Sequence, residues 1–426
     1  MSRKLWQSLV LGLTAGVAAW AQADPDVIPD RYIVVLRDNV PASLPVAAQA
    51  ARLPGVAVAH IYEHALKGFS ATIPAAQLDV LRRDPRVAFI SEDRRVWAFA
   101  ETLPTGVDRI NAERPFAGSY NRGAGINVAV LDTGVDLTHP DLNLHPTLAR
   151  NCVSSGPPND GNGHGTHVAG TIAARSNTSG VVGVASEAAI VPVKVLGDDG
   201  SGSWSQVICG VDFVTANANQ IHVANLSLGG SGQDSTSDAN CNNSRRDALH
   251  TAICRAVRAG VTFVVAAGNS GRDLKNTVPA TYDEVITVTA LADSDGKACG
   301  TGAATAYGAD DTFASFSNYA TQTGDLNRLL GAPGVNIYST YRGGGYAYAS
   351  GTSMASPHVA GVAALYIAKV LSTGSPRPSP SAVRTELRSR AEPRNVNFGS
   401  DNCGSRFSHT DPSGRHPEPV VRADTY

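Results

Sequence analysis

The chain has little charge imbalance and few strongly biased stretches. Its 35 lysines and arginines face 37 aspartates and glutamates, a formal net charge of −2. No long basic run stands out, so nothing invites a nucleic acid or an anionic membrane surface as partner. After one apolar stretch at the start, no second run reads as a membrane span, which argues against a membrane protein. The C-terminal portion, from SPRPSP to Tyr426, contains no repeat and no second apolar core. It reads as the closing segment of the preceding domain rather than as a separate binding module. Cysteine is sparse, with six in 426 residues.

The N-terminus accounts for part of this. Arg3 and Lys4 precede an apolar stretch from Leu9 to Trp20 and then Ala21-Gln22-Ala23. That is the layout of a secretory signal, residues 1–23, removed after Ala23. An anchor would need a longer apolar core. Export makes disulfides the natural state of the cysteines. Cys241 and Cys254, close in sequence, are the expected pair, and the other four are left unassigned.

Residues 24–100 read as a small α+β unit. RYIVVLR, GFSATIP and the run RVAFISEDRRVWAFA are extended, and QLDVLRRDP is a helix stopped by Pro85. Inside this unit, His60-Ile61-Tyr62-Glu63-His64 matches the H-x-x-E-H zinc-hydrolase string. That chemistry needs both histidines one turn apart on a long helix, whereas this string runs into a Gly-Phe strand.

From Ile126 the pattern changes. NVAVLD, AIVPVKVL, HVANLSL, VTFVVAA and VITVTA are short and valine-rich, as strands buried on both faces are. Helical stretches beginning near His164, Trp204 and Arg245 alternate with them. Strand and helix in repetition predict an α/β domain, a mostly parallel sheet flanked by helices, with function at the carboxyl ends of the strands. Asp132 and Asn269 fall at such ends.

Three glycine-flanked segments carry the chemistry. Asp132 ends INVAVLD, His164 lies in NGHGTHVAG, and Ser353 lies in GTSMASPHVAG ahead of an apolar helical run. A serine hydroxyl is a poor nucleophile without a base, and the base needs an orienting acid. G-x-S-x-G, the nucleophile turn of α/β-hydrolase esterases, is not matched by Gly351-Thr352-Ser353-Met354-Ala355. In order and context the three segments resemble the subtilisin-like serine proteases, over about Arg31 to Lys369.

That resemblance implies a secreted serine endopeptidase, made as a self-processed zymogen, with a catalytic domain over 101–426. Residues 24–100 would be its propeptide, an intramolecular chaperone and inhibitor whose tail, Trp97-Ala98-Phe99-Ala100, fills substrate subsites. His164 would be the general base, Asp132 its orienting acid and Ser353 the nucleophile. Asn269 would donate to the oxyanion, together with the Ser353 amide. Ser227-Leu228-Gly229 and Gly200-Ser201-Gly202 would be the two edges between which a polypeptide substrate lies, giving broad specificity through its backbone. Ala266, Ala267 and Gly268 would line a roomy apolar primary pocket, and Trp204 would close the fourth subsite.

No cofactor is implied for catalysis. A structural calcium is implied at the loop Arg175 to Val181, with Asp141, Arg175, Asn177, Ser179 and Val181 as ligands and Glu101 adding another oxygen. A monomer is expected. The insertion SGQDSTSDANCNNS, longer than the family's link, would form a stapled loop near the cleft. The competing reading, a catalytically silent secreted binding protein on the same scaffold, would be expected to lack a member of the triad or the oxyanion donor. None is lacking.

Overall fold

The computed structural model describes residues 27–94, 101–113, 121–234, 241, 247–397, 403 and 406–426. The expected signal, the tail Trp97 to Ala100 and most of the insertion lie outside the described residues. The chain divides into two compact units, Met1–Ala98 and Phe99–Tyr426.

The first unit runs β1 (Val27–Leu36), α1 (Leu44–Ala50), β2 (Ala57–Tyr62), β3 (Gly68–Thr72), α2 (Ala75–Arg82) and β4 (Val87–Arg94). Its four strands form an antiparallel sheet in the order β2-β3-β1-β4. Val34 and Leu36 of β1 bury with Phe69 and Ala71 of β3 against Val46 and Ala47 of α1 and Leu78 and Leu81 of α2. The sequence reading passed over the α1 helix, although Ser43 stands at its N-cap and Pro45 in its first turn. Glu63 caps it, its Oε1 accepting from the Ser43 and Leu44 amides at 2.8 and 3.2 Å. The zinc string is therefore a strand end. His60 pairs across the ladder with Ser70, and His64 lies beyond β2, so the two histidines do not share a helical face.

The second unit begins with α3 (Thr105–Arg109), β5 (Asn127–Asp132), β6 (Arg150–Asn151), α4 (His164–Ala173), β7 (Ala189–Lys194) and α5 (Trp204–Ala216). It continues through β8 (Val223–Leu226), β9 (Gly230–Ser231), α6 (Ala248–Arg258), β10 (Thr262–Ala266), β11 (Thr277–Val278), β12 (Ile286–Ala292) and β13 (Thr312–Phe313). It ends with α7 (Thr323–Leu326), β14 (Leu329–Pro333), β15 (Ile337–Tyr341), β16 (Gly345–Ala349), α8 (Thr352–Ser372) and α9 (Pro380–Arg390). The main sheet has the order β13-β12-β10-β8-β5-β7-β6, with β14 also paired to β12. Its ladders are parallel except where β13 meets β12.

Alternation along β5 explains the layering. Val128 and Val130 point to one side, into a core with Val168 and Ile172 of α4 and Val359 and Val362 of α8. Ala129 and Leu131 point to the other, toward Val207 and Val211 of α5 and Leu249 and Ile253 of α6. Both faces are covered, so the strands read as unbroken apolar runs. Each fully buried valine contributes roughly 1.5–3 kcal/mol. The α8 helix, 21 residues, is long and apolar enough to cross a membrane, a property the sequence reading passed over. It is instead the central helix of this core, with residues such as Val359, Val362 and Ala363 wholly buried.

The closing segment threads back through the fold. The Val421 amide donates to the carbonyl of Gly331 in β14 at 2.9 Å, the Gly331 amide donates to the Pro419 carbonyl at 2.8 Å, and the Ala423 amide donates to the Ile110 carbonyl at 2.8 Å. Arg109, buried on α3, is met there by Asp311 at 2.6 Å and Glu392 at 2.9 Å. Three disulfides staple the unit: Cys241–Cys254, as expected, and Cys152–Cys209 and Cys299–Cys403, which the sequence left open.

Candidate active site

Asp132 is the last residue of β5, His164 the first of α4 and Ser353 the second of α8. Parallel strands deliver all their carboxyl ends to one edge of the sheet, which is why residues so far apart in sequence converge. The close approach of α4 to β5 depends on Gly165, where a Cβ would collide with the Gly134 carbonyl and crowd Asp132.

The Asp132 carboxylate is fully buried. Its Oδ1 takes the Thr133 amide and the His164 Nδ1 position, both at 2.7 Å. The imidazole keeps 30 % of its surface exposed. Burial pulls its pKa down, but the charge and hydrogen bond of Asp132, joined by the charge of Asp160, outweigh this and hold it above the ordinary histidine value. His167, one turn further along α4, is the opposite case. It is buried against the Ile337 and Ala347 carbonyls, and burial pushes it down to about 4.

Ser353 sits where helix geometry leaves groups free. Pro357, inside α8, has no amide to give the Ser353 carbonyl. The Ser227 hydroxyl donates to that carbonyl instead, at 2.8 Å, and Ser353 Oγ returns a bond to the Ser227 carbonyl at 3.2 Å. In this rotamer Ser353 Oγ makes no hydrogen bond to His164. Serine–base contacts in unliganded sites are often long and tighten with substrate. Asn225, buried, holds Ser227 Oγ at 3.0 Å and accepts from Ser356 Oγ at 2.7 Å.

Asn269 is oriented by Thr352. The Thr352 amide and hydroxyl both donate to Asn269 Oδ1 at 2.8 Å, and the Gly268 amide donates to the same hydroxyl at 3.0 Å. The Asn269 Nδ2 group and the Ser353 amide are left without partners among the described residues. Both belong to a cavity of 260 Å³ lined also by Ala266, Gly268, Ser270, Arg272, Thr277 and Asn318.

Beside it runs a cleft of 740 Å³ that brings together His164, Gly200, Ser201, Gly202, Trp204, Ser227, Leu228 and Gly229. A reciprocal Ser203–Gln206 capping box starts α5 and fixes Trp204 at its first position. The indole lies over Gly230, where a Cβ would come within 2.6 Å of the ring. Two details depart from the sequence reading. Ala267 turns away from the cavity and packs with Leu274, Ala320 and Leu329. The primary pocket is also less apolar than expected, because Thr277, Asn318 and Arg272 share its wall. Asn318, buried, shapes that wall by accepting from the Ser270 and Arg272 amides at 3.0 and 3.2 Å.

The loop expected to hold calcium is assembled. Asp141 Oδ1 accepts from Asn177 Nδ2 at 2.8 Å, and Oδ2 accepts from the Val181 amide at 3.0 Å and from the Tyr346 hydroxyl at 3.3 Å. Glu101 Oε1 accepts from the Asn177 amide at 2.6 Å. The carbonyls of Arg175, Ser179 and Val181 take no hydrogen bond from the described residues, and Val181 is buried. Free carbonyls beside two carboxylates are a donor set that suits a hard cation, provided the Asn177 amide turns to present its oxygen. A second acidic group, Asp293, Asp295 and Asp310, has ligand atoms within 4.8 Å of one another. Its carboxylates already accept from the Gly296, Lys297 and Ser294 amides.

Sequence reasoning missed Thr133, Asp160, Asn225, Thr352 and Asn318. Each is polar and buried or part-buried beside a glycine-rich or strand-end segment, and that placement was the available signal.

The chain is also similar to known proteins. The model of the subtilase family matches residues 123–405, and that of the peptidase inhibitor I9 family matches residues 31–98. The chain is similar to the alkaline protease of Alkalihalobacillus alcalophilus, 38 % identical over 338 residues that cover 78 % of this chain and 75 % of that protein. It is similar to the extracellular serine proteinase of Thermus sp. (strain Rt41A), 38 % identical over 401 residues, 87 % of each. Among solved structures it resembles a cold adapted subtilisin-like serine proteinase at a TM-score of 0.53 and 33 % identity, covering 75 % of this chain and 97 % of that one.

Proposed function

The chain belongs to the subtilase family of serine proteases and carries an I9-type propeptide unit, and on that premise we propose that Asp132, His164 and Ser353 hydrolyse peptide bonds as one triad. The observation that carries the reading is the 2.7 Å contact from His164 Nδ1 to the buried Asp132, with His164 lining a cleft that shares Leu228 to Ser231 with the cavity Ser353 borders. Ser353 Oγ turns from the Ser227 carbonyl to attack the substrate carbonyl carbon and gives its proton to His164 Nε2. Asp132 stabilises the imidazolium that forms and keeps the tautomer. The oxyanion of the tetrahedral intermediate accepts from Asn269 Nδ2 and the Ser353 amide, two donors that have no competing partner among the described residues. His164 then protonates the leaving amine, and water repeats the sequence to release the acyl group.

Specificity is broad in this reading, because two backbone edges, Gly200 to Gly202 and Ser227 to Gly229, can hold any extended peptide. An apolar preference belongs to the end of the cleft with Trp204, Leu196 and Leu228 rather than to the mixed primary pocket. Residues 24–100 act as intramolecular inhibitor and are cut near Ala100 by the enzyme itself, after export directed by residues 1–23. The mature enzyme, 101–426, is a secreted monomer. A structural calcium, held by Asp141, Asn177, Glu101 and the carbonyls of Arg175, Ser179 and Val181, would cross-link the loop and supply no chemistry at Ser353. N-terminal sequencing of secreted protein tests the scheme. Wild type should begin near Glu101 and Ser353→Ala should stay uncut. Normal maturation of purified Ser353→Ala, with no other protease present, would refute self-processing.

A further inference from the structure

Asp160 lies just ahead of α4, is 4 % exposed, and touches neither the cleft nor any expected substrate atom. Five hydrogen bonds converge on it. Its Oδ1 accepts from Thr133 Oγ1 at 2.8 Å, the Asn162 amide at 3.0 Å and the Gly163 amide at 2.8 Å. Its Oδ2 accepts from the Thr166 amide at 2.9 Å and the Thr166 hydroxyl at 2.6 Å.

The targets of Oδ1 are informative. Thr133 follows Asp132, and its amide holds the same Asp132 oxygen that meets His164. Gly163 precedes His164. One carboxylate oxygen therefore fixes the chain neighbours of both halves of the acid–base pair. Thr133 Oγ1 adds a brace by accepting the Gly165 amide at 3.0 Å. A plain helix cap would need none of the contact to Thr133.

We propose that Asp160 is a positioning residue of the triad: it sets the Asp132–His164 distance through Thr133 and Gly163, and its buried charge favours the imidazolium formed during turnover. This rests on the triad reading above. The charged and titratable groups facing His164 and its supports are Asp132 at the end of β5, Asp160 before α4, His167 one turn on, and the Lys194–Asp198 pair. Lys194 spends its charge on the Thr133 carbonyl and on Asp198 at 2.8 Å. Asp160 is thus the second carboxylate in a position to act on the imidazole, and its charge adds to that of Asp132 in raising the His164 pKa.

The test is the pH profile of kcat/KM for secreted, active-site-titrated enzyme on a chromogenic peptide amide. Asp160→Asn keeps the shape but removes the charge, and turns an NH2 group toward donors. It should lower kcat about tenfold or more with KM changed less than about twofold, and move the acid limb downward by about half a pH unit. Thr133→Val keeps the charge and cuts the link. It should lower kcat with the acid limb in place, and Thr133→Ser should regain most of the loss. An unmoved acid limb in Asp160→Asn, with damage confined to thermal stability or kcat, reduces Asp160 to a helix cap and overturns the proposal. If Asp160→Asn does not accumulate, wild-type kcat in Thr133→Val overturns it. Retained activity in His164→Ala would instead sink the triad reading, so the two failures are distinguishable.

Discussion

Replacing Asn269 by aspartate separates the side chain's two roles. Its Oδ1 is anchored by the Thr352 amide and hydroxyl, both at 2.8 Å, and this leaves Nδ2 to face the cavity it shares with Ser353. Aspartate retains an oxygen for Thr352, so the turn from Gly268 to Ser270 should hold its shape. The donor to the oxyanion disappears. Losing one such donor costs about 2.7–4 kcal/mol of transition-state stabilisation. At 1.36 kcal/mol per tenfold, that is about 100- to 1000-fold in kcat. The added negative charge beside a developing oxyanion places Asn269→Asp at the upper end of that range or beyond it, and Asn269→Ala within it. Because the interaction forms only in the transition state, KM should stay within about twofold. Thr352→Val, which removes the hydroxyl that bonds Asn269 and Gly268 but keeps the amide anchor and the donor, should cost only about tenfold in kcat. The assay is steady-state hydrolysis of a peptide amide, normalised by active-site titration. A kcat for Asn269→Asp within about fivefold of wild type, or a loss that appears in KM, would refute the reasoning.

Three further outcomes are expected. The activity of wild type should rise with pH through a His164 pKa above about 6.5, since the base must be neutral. Over the same window the stability that protonated His164 contributes, fully present below about 6.5, is lost as pH climbs through the raised folded value. Asp132→Asn should shift that acid limb downward and cut kcat by about 10⁴-fold, and an unmoved limb would show that Asp132 does not set it. Chelation should lower the thermal midpoint without changing initial turnover, consistent with about 2.7 kcal/mol of calcium stabilisation at a hundredfold excess over Kd. Asp141→Ala should mimic the chelated state, and a wild-type midpoint indifferent to chelator removes calcium from the loop. Serine in place of both Cys299 and Cys403, which close 104 residues, should cost about 1.8 kcal/mol more than the same change at Cys241 and Cys254, which close 13. Equal losses in urea unfolding of Ser353→Ala background protein would reject the chain-entropy account.

The layered sheet was legible because valine runs such as NVAVLD have no polar face to offer solvent, and a strand without one must be covered on both sides. The positions of Asp132 and His164 followed from the same logic, at a strand end and at a helix start. Other features depend on partners that sequence does not display. The α1 helix is seven residues with proline at its second position, and its cap, Glu63, comes nineteen residues after Leu44. Cys152 meets Cys209 because β6 delivers one and α5 the other to the same end of the sheet, a relation of layers rather than of spacing. Ala267 reads like Ala266, and only the strand's alternation turns one to the pocket and the other to the core. Asp160 sits among glycines in NDGNGHG and looks like a turn residue until the donors aimed at it are counted.

The guanidinium of Arg109 meets carboxylates 202 and 283 residues further along the chain. A protease shares its solution with copies of itself, and its most vulnerable moments are those when an end frays and offers a loose strand to a neighbour's cleft. Here α3 cannot peel away without taking the guanidinium from buried Asp311 and one of three partners from Glu392, and residues 406–426, which carry the other two, His409 and Arg422, cannot lift without exposing the same cluster. Opening either segment is thereby tied to opening both, so the small local excursions that feed self-digestion become rare and large ones. Survival time among its own kind, rather than turnover, is what this buried cluster should govern.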